Sequence, residues 1–346
     1  MIAKLKKLDH NTIVTVGDAV QSFIRAPDTT TKDCCLVPGK DIAKTWIIPR
    51  ENRHGVAFQK PKRVSWFTTV SWRRWVISLL LTNGFGNFDL NFTVGLDILN
   101  NNSITTAILL ANLPQAIIAF LYLTYNGLFT VMLANREWTQ YSVKRAPLRV
   151  TDPTPSQRST YFLSLPYTFS IPLQLAFAAL HWLVSQSVFL ARIDWLPVHQ
   201  WNLDNNGTLQ SIEQLYKQVI GGEVYAADDL HTTLGYSAPA ILTSIAVGTA
   251  VVVVCLLVAA IARYPAGGMP LGGTNSALIS AACHVIDANG AQKEDEAREE
   301  IVDRPLQWGV SKEGSRDEVG HCSFSDGEVR KPVVGLLYAG MVSSSQ

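Results

Sequence analysis

Three stretches of the chain stay apolar long enough to cross a bilayer, and polar or charged residues close each of them. Ile108 to Leu133 holds no Asp, Glu, Lys or Arg and ends at Arg136-Glu137. Ile171 to Leu190 is equally free of formal charge and is followed by Arg192 and Asp194. Ile241 to Ile261 contains the run Val251 to Val254 and ends at Arg263. A hydrocarbon core needs roughly 20 apolar helical residues to span it. The pattern therefore predicts transmembrane helices at about 108–133, 171–190 and 241–261. The first is longer than required, and Pro114 within it predicts a tilt or a kink. A fourth apolar run, Trp75 to Leu81, follows Arg73-Arg74 and soon meets Thr82-Asn83-Gly84. As helix it rises only roughly 10 Å, so it predicts a short, incomplete crossing near 75–90.

Charge between the spans sets their direction. The loop from Ala134 to Ser170 carries Arg136, Lys144, Arg145, Arg149 and Arg158. The loop from Ala191 to Ala240 has only Arg192 and Lys217 beside six acids. Lys and Arg concentrate on the cytoplasmic side, which places the first loop inside and the second outside. Residues 1–74 hold fourteen Lys and Arg against six acids and read as cytoplasmic. The glycosylation sequons at Asn91, Asn101 and Asn206 all fall in stretches assigned to the outside. The expected organisation is a basic cytoplasmic region (1–74), a membrane region (75–261) and a cytoplasmic tail (262–346). The expected fold class is an all-α integral membrane protein in the plasma membrane or an endomembrane, with the lipid bilayer as its first partner.

Composition adds exclusions. A formal charge of +1 gives no bulk attraction to nucleic acid. Cys34, Cys35, Cys255, Cys283 and Cys322 follow no secreted disulfide framework. Met1 to Asn11 holds three lysines without the apolar run of a signal peptide. The tail pairs Cys283-His284 and His321-Cys322 lack zinc-ligand spacing, because neighbouring residues seldom reach one ion together. Asp228-Asp229-Leu230-His231 offers cation ligands but reads first as a solvated loop, and the acidic run Lys293 to Asp303 as a solvated helix or disordered segment. There is no phosphate-binding loop, nucleophile elbow or dinucleotide fingerprint. No catalytic residue, cofactor or metal is expected, and the chain is not expected to be an enzyme.

Two spans carry polar residues on one helical face. In the first these are Asn112, Gln115, Tyr122 and Asn126, and in the second Gln174, His181 and Ser185. Polar groups in hydrocarbon turn toward another helix or a water-filled cavity. Interhelical hydrogen bonding is the first reading, and a pathway with His181 as its titrating group is the second. Ser244, Ala246, Gly248 and Ala250 in the third span allow close helix approach, within the chain or in a homo-oligomer. Near the N-terminus Val16, Val20, Phe23 and Ile24 share one face of a short helix. That face suits the inner leaflet or another cytoplasmic segment equally well.

Several longer strings carry a resemblance: VGDAVQSF (16–23), PDTTTK (27–32), NGLFT (126–130), REW (136–138), SQRSTYFLSLPY (156–167), LHWLVSQSVFL (180–190), LGYSAPA (234–240), MPLGGTNSALISAACH (269–284) and GHCSF (320–324). Through them the chain resembles the C-terminal part of an uncharacterised multi-pass membrane family of filamentous fungi, known only as a domain of unknown function. The resemblance implies further spans upstream and a full helix after Arg73-Arg74, and this chain's departures lead to the expectation of a truncated or spliced gene product, or of an imperfect gene model. It implies no reaction and no catalytic residues. The facing polar stripes suggest a transporter-like or channel-like subunit; the alternative is a non-catalytic membrane scaffold or sensor.

Overall fold

The computed structural model describes residues 13–43, 53–86, 104–193, 201–203, 209–211, 231–287 and 291–340. In chain order its principal elements are α1 (Val16–Arg25), β1 (Gly55–Ala57), α2 (Trp72–Gly86), α3 (Ile104–Gln140), β2 (Arg149–Val150), β3 (Arg158–Ser159) and α4 (Tyr167–Ser187). There follow β4 (Val188–Ile193), β5 (Trp201–Leu203), β6 (Leu209–Ser211), β7 (His231–Tyr236) and α5 (Ala238–Ile261). The last are α6 (Ser276–Ala282), α7 (Asp295–Val302), β8 (Gln307–Lys312), β9 (His321–Ser325) and β10 (Leu337–Ala339). The chain forms two compact units, one from 1–78, 123–174 and 252–346, the other from 79–122 and 175–251.

Among the described residues three helices are long and apolar enough to cross a membrane: Ala111–Gln140 within α3, the whole of α4, and α5. The second predicted span ends early. Val188 to Leu190 belong to β4, which pairs antiparallel with β7 from Val188↔Tyr236 to Ile193↔His231. An apolar run does not distinguish helix from strand, and the β-branched and aromatic residues of VFLARI suit a strand. The short fourth run extends to the 15 residues of α2, about 22 Å of helix and still less than a hydrocarbon core. The expectation of an all-α fold is corrected by five two-stranded sheets.

The unit that includes the N-terminus is a mixed α/β body with one principal core. Val20 and Ile24 of α1, Trp138 and Tyr141 at the end of α3, Ile301 and Val302 of α7, Trp308 of β8 and Phe324 of β9 are all within it. The apolar face of α1 is therefore satisfied by protein. Trp138 and Tyr141 both meet the edge of the Phe324 ring, with centroids 5.8 and 5.5 Å apart, and the Trp138 indole N–H donates to the Pro270 carbonyl at 2.9 Å. The acidic run is an ordered helix whose Arg298, Ile301 and Val302 are buried.

The second unit contains the remaining parts of α3, α4 and α5 with the β4–β7 ribbon. Tyr122 meets the edge of Phe177 at 5.6 Å. Ser187 and Ser244 share a buried hydrogen bond of 3.1 Å, and Gly248 brings its backbone close to Leu180. Ser244 and Gly248 of α5 thus serve packing within the chain, whereas Ala246 and Ala250 are exposed.

Candidate functional site

A cavity of about 710 Å³ lies in the first unit around the final turns of α3. Thr130, Leu133, Glu137, Gln140, Tyr141 and Lys144 recur at three- and four-residue spacing, so one helical face forms one wall. The segment from Ala146 to Phe169 supplies a second wall, α1 a third through Val16, Ala19 and Phe23, and the entry to α6 closes it with Gly273, Thr274, Ser276 and Ile279.

Asp18 fixes the α1 wall. Its Oδ2 accepts from the backbone N–H of Val14 and Thr15, at 3.1 and 2.9 Å, completing a capping box with Thr15. The same carboxylate accepts from the Thr151 N–H at 2.7 Å and its hydroxyl at 2.8 Å. The Thr15 hydroxyl donates to the Arg149 carbonyl at 2.6 Å. Gly17 must lack a side chain, because a Cβ there would fall 2.0 Å from that carbonyl oxygen.

Four cations, Arg136, Lys144, Arg149 and Arg158, line the cavity against one carboxylate, Glu137. Arg149 Nε donates to Glu137 Oε1 at 3.2 Å, its Nη1 donates to the Ser159 carbonyl at 2.8 Å, and its guanidinium stacks over Tyr161 at 4.0 Å. Arg136 lies over the Trp66 ring at 5.6 Å. Among the described residues no ion pair takes up Lys144 or Arg158. Burial pushes the Tyr141 hydroxyl pKa well up, so it is a neutral donor or acceptor at physiological pH. A half-buried arginine paired with Glu137, beside three exposed cations that no ion pair takes up among the described residues, is an arrangement that accepts an anion.

The predicted polar stripes are placed differently. Asn112 is exposed and donates to its own helix at the Ile108 carbonyl, 2.8 Å away. Gln115 is half-buried, Tyr122 meets Phe177, and Asn126 pairs with the Ser164 hydroxyl at 3.0 Å. Gln174 and His181 are exposed, because α4 buries Leu173, Phe177, Leu180 and Val184 instead. Ser185 donates to the Trp182 carbonyl at 2.6 Å. The space lined by Pro114, Val184, Ser187 and Ile241 measures about 20 Å³, scarcely room for one water. Asn91, Asn101, Asn206 and the Asp228-Asp229 pair lie outside the described residues.

The tail pairs are buried and close together. His321 Nε2 donates to the His284 carbonyl at 3.1 Å, and the Cys322 N–H donates to Cys35 Sγ at 3.3 Å. Burial opposes ionisation of Cys35, but hydrogen bonds from Cys322 and the His321 imidazole hold its pKa well below the usual thiol range. Among the described residues no three His, Cys, Asp or Glu side chains converge as a metal site.

Residues 81–212 match the model of a domain of unknown function, DUF8419, which covers less than half of the chain. No curated protein and no solved structure matches.

Proposed function

We propose that this chain is a multi-pass membrane protein of the scaffold or sensor kind, which holds an acidic phospholipid headgroup in the basic cavity at the inner end of its first span. The observation that carries this reading is the distribution of space and charge. About 710 Å³ lined by four cations lies around the last turns of α3, whereas the space beside Pro114 is about 20 Å³. A solute pathway needs the reverse. Basic pockets at the cytoplasmic ends of membrane helices suit anionic headgroups, which supply the missing counter-charge.

A membrane setting is supported by the helices themselves. Only 39%, 28% and 22% of their most apolar windows are buried. Surfaces such as Leu175, Trp182, Leu242, Val254 and Ile261 are left exposed, and apolar faces of that extent need lipid or protein cover. Lys and Arg bias puts the cavity on the cytoplasmic side, in the plasma membrane or an endomembrane. Membership of the uncharacterised fungal multi-pass family beyond the matched segment rests on the sequence strings themselves, of which VGDAVQSF, REW, SQRSTYFLSLPY and MPLGGTNSALISAACH contribute lining residues. The exposed apolar residues of α4 and α5, such as Leu175, Trp182 and Leu242, leave room for a second copy of the chain as a further partner.

The test is thermal stability of detergent-solubilised protein with added lipid. Phosphatidic acid or phosphatidylserine should raise the melting temperature where phosphatidylcholine does not, and Arg158→Glu should remove the difference. An equal response to all three lipids would exclude the headgroup reading.

A further inference from the structure

A second cavity of about 630 Å³ lies in the same unit and shares no lining residue with the first. Lys32, Arg53, His54 and Lys312 border it, with Asp33 as its only carboxylate among the described residues. Arg53 is fixed on the wall, where its Nη1 donates to the Lys32 carbonyl at 2.7 Å and to Cys34 Sγ at 3.4 Å. Also lining it is His284, only 2% exposed.

The hydrogen bonds around His284 assign its tautomer. The Thr31 hydroxyl lies 3.0 Å from the Asp28 carbonyl, which only accepts, so Thr31 spends its one proton there. The same hydroxyl oxygen lies 2.7 Å from the Ser280 hydroxyl, which can donate to it, and 3.0 Å from His284 Nε2, from which it then accepts. Nε2 therefore carries the proton, and Nδ1 is a bare lone pair. Nδ1 is buried and has no hydrogen-bond partner. Buried polar atoms are almost always paired, and one left orphaned beside a cationic cavity calls for an absent partner.

We propose that this cavity is a binding site for a water-soluble phosphate monoester, held by Lys32, Arg53 and Lys312 and by a hydrogen bond from His284 Nδ1. Because Nε2 is already the donor to Thr31, Nδ1 donates only after the ring gains a proton. Ligand binding is therefore coupled to uptake of one proton from solvent, and the imidazolium so formed faces the bound dianion. Without ligand the ring stays neutral: burial and the charges of His321 and Lys32 hold its pKa at about 4, against the opposing pull of Asp33 and Asp28. Arg53, His54 and Lys312 border the same cavity, and a dianion bound among them favours the charged ring.

The experiment is calorimetric titration of the full-length protein in detergent with inorganic phosphate, glycerol phosphate and sulfate, near neutral pH, in two buffers of different ionisation enthalpy. Sulfate is a dianion that does not titrate in this range, so proton uptake with it reports the protein alone. Saturable binding of all three is expected, with affinity for sulfate falling up to about tenfold per unit rise in pH. Lys312 is exposed, so Lys312→Glu keeps the core intact and should weaken phosphate at least tenfold, whereas Lys331→Glu, exposed and outside both cavities, should change nothing. His284→Asn should abolish the proton uptake. No saturable binding at millimolar phosphate, indifference to Lys312→Glu, or sulfate binding without proton uptake would each overturn the proposal. So would binding of phosphatidic acid in nanodiscs that is lost in Lys312→Glu while glycerol phosphate fails to bind.

Discussion

Asp18 accepts two hydrogen bonds from Thr151, 133 residues further along the chain, at 2.7 and 2.8 Å. One carboxylate thereby caps α1 and ties it to the loop that follows α3. Asp18→Ala leaves the Thr151 N–H and the first-turn donors without their acceptor, and should cost about 2–4 kcal/mol. Asp18→Asn keeps the shape but replaces one acceptor oxygen by a donor, and should cost less. Denaturant unfolding of the detergent-solubilised protein measures both; equal losses would mean that shape, not acceptance, matters here.

Gly17 adds a steric test of the same contact. Any Cβ there meets the Arg149 carbonyl at 2.0 Å, and backbone cannot step aside. Gly17→Ala should cost about 3 kcal/mol or more. Gly248 is the control: its added Cβ would meet only the Leu180 side chain, at 3.7 Å. Gly248→Ala should be neutral or stabilise slightly, since helical glycine costs up to about 1 kcal/mol relative to alanine.

How far the sequence reveals this molecule depends on how far apart the cooperating residues are. The long helices were legible because each is one uninterrupted apolar stretch. The core of the first unit was not, because its residues come from three distant segments, and Asp18 reads as an ordinary helix-start acid until Thr151 is beside it. β9 escaped for a different reason: His321-Cys322-Ser323-Phe324 is buried at every position, so it shows no alternation of apolar and polar residues. The lysines and arginines of the loop from 134 to 170 were visible, but as a count that orients helices. Only folding shows that four of them face one cavity.

His284 also predicts a pH dependence in the absence of ligand. Burial, the largest cause, lowers its pKa from 6.5 to about 4 in the folded state. A group with a depressed folded pKa takes up its proton first in the unfolded state, so acid favours unfolding. Stability should be lost as pH falls from about 6.5 toward 4, by up to about 3 kcal/mol. His321 has the opposite sign: its raised pKa, held up against burial by Cys35, keeps its contribution present in acid and loses it as pH rises. Unfolding free energy measured across this window in anion-poor buffer should flatten in His284→Asn. A slope unchanged by that substitution would assign the acid loss to other groups.

The arrangement of the three long helices is open to a labelling test with low background, because all five native cysteines are buried. Asp152 follows α3 and Arg316 lies in the tail, and both are exposed. Two of the long helices, α4 and α5, lie between them in the chain, so two crossings return the tail to the side of Asp152. Tyr236, exposed just before α5, falls after one crossing. Cysteines introduced singly at Asp152 and Arg316 should react with an impermeant maleimide only after the membrane is opened, whereas Tyr236→Cys should react in sealed cells or correctly oriented vesicles. The lysine and arginine bias of the loop after α3 sets that direction. Labelling of Arg316→Cys from outside, with Asp152→Cys protected, would mean an odd number of crossings between them. The basic cavity draws its walls from both sides of that pair, through Arg158 and through Ser276. It could not then be assembled on one face of a bilayer, and the headgroup reading would fall with the topology.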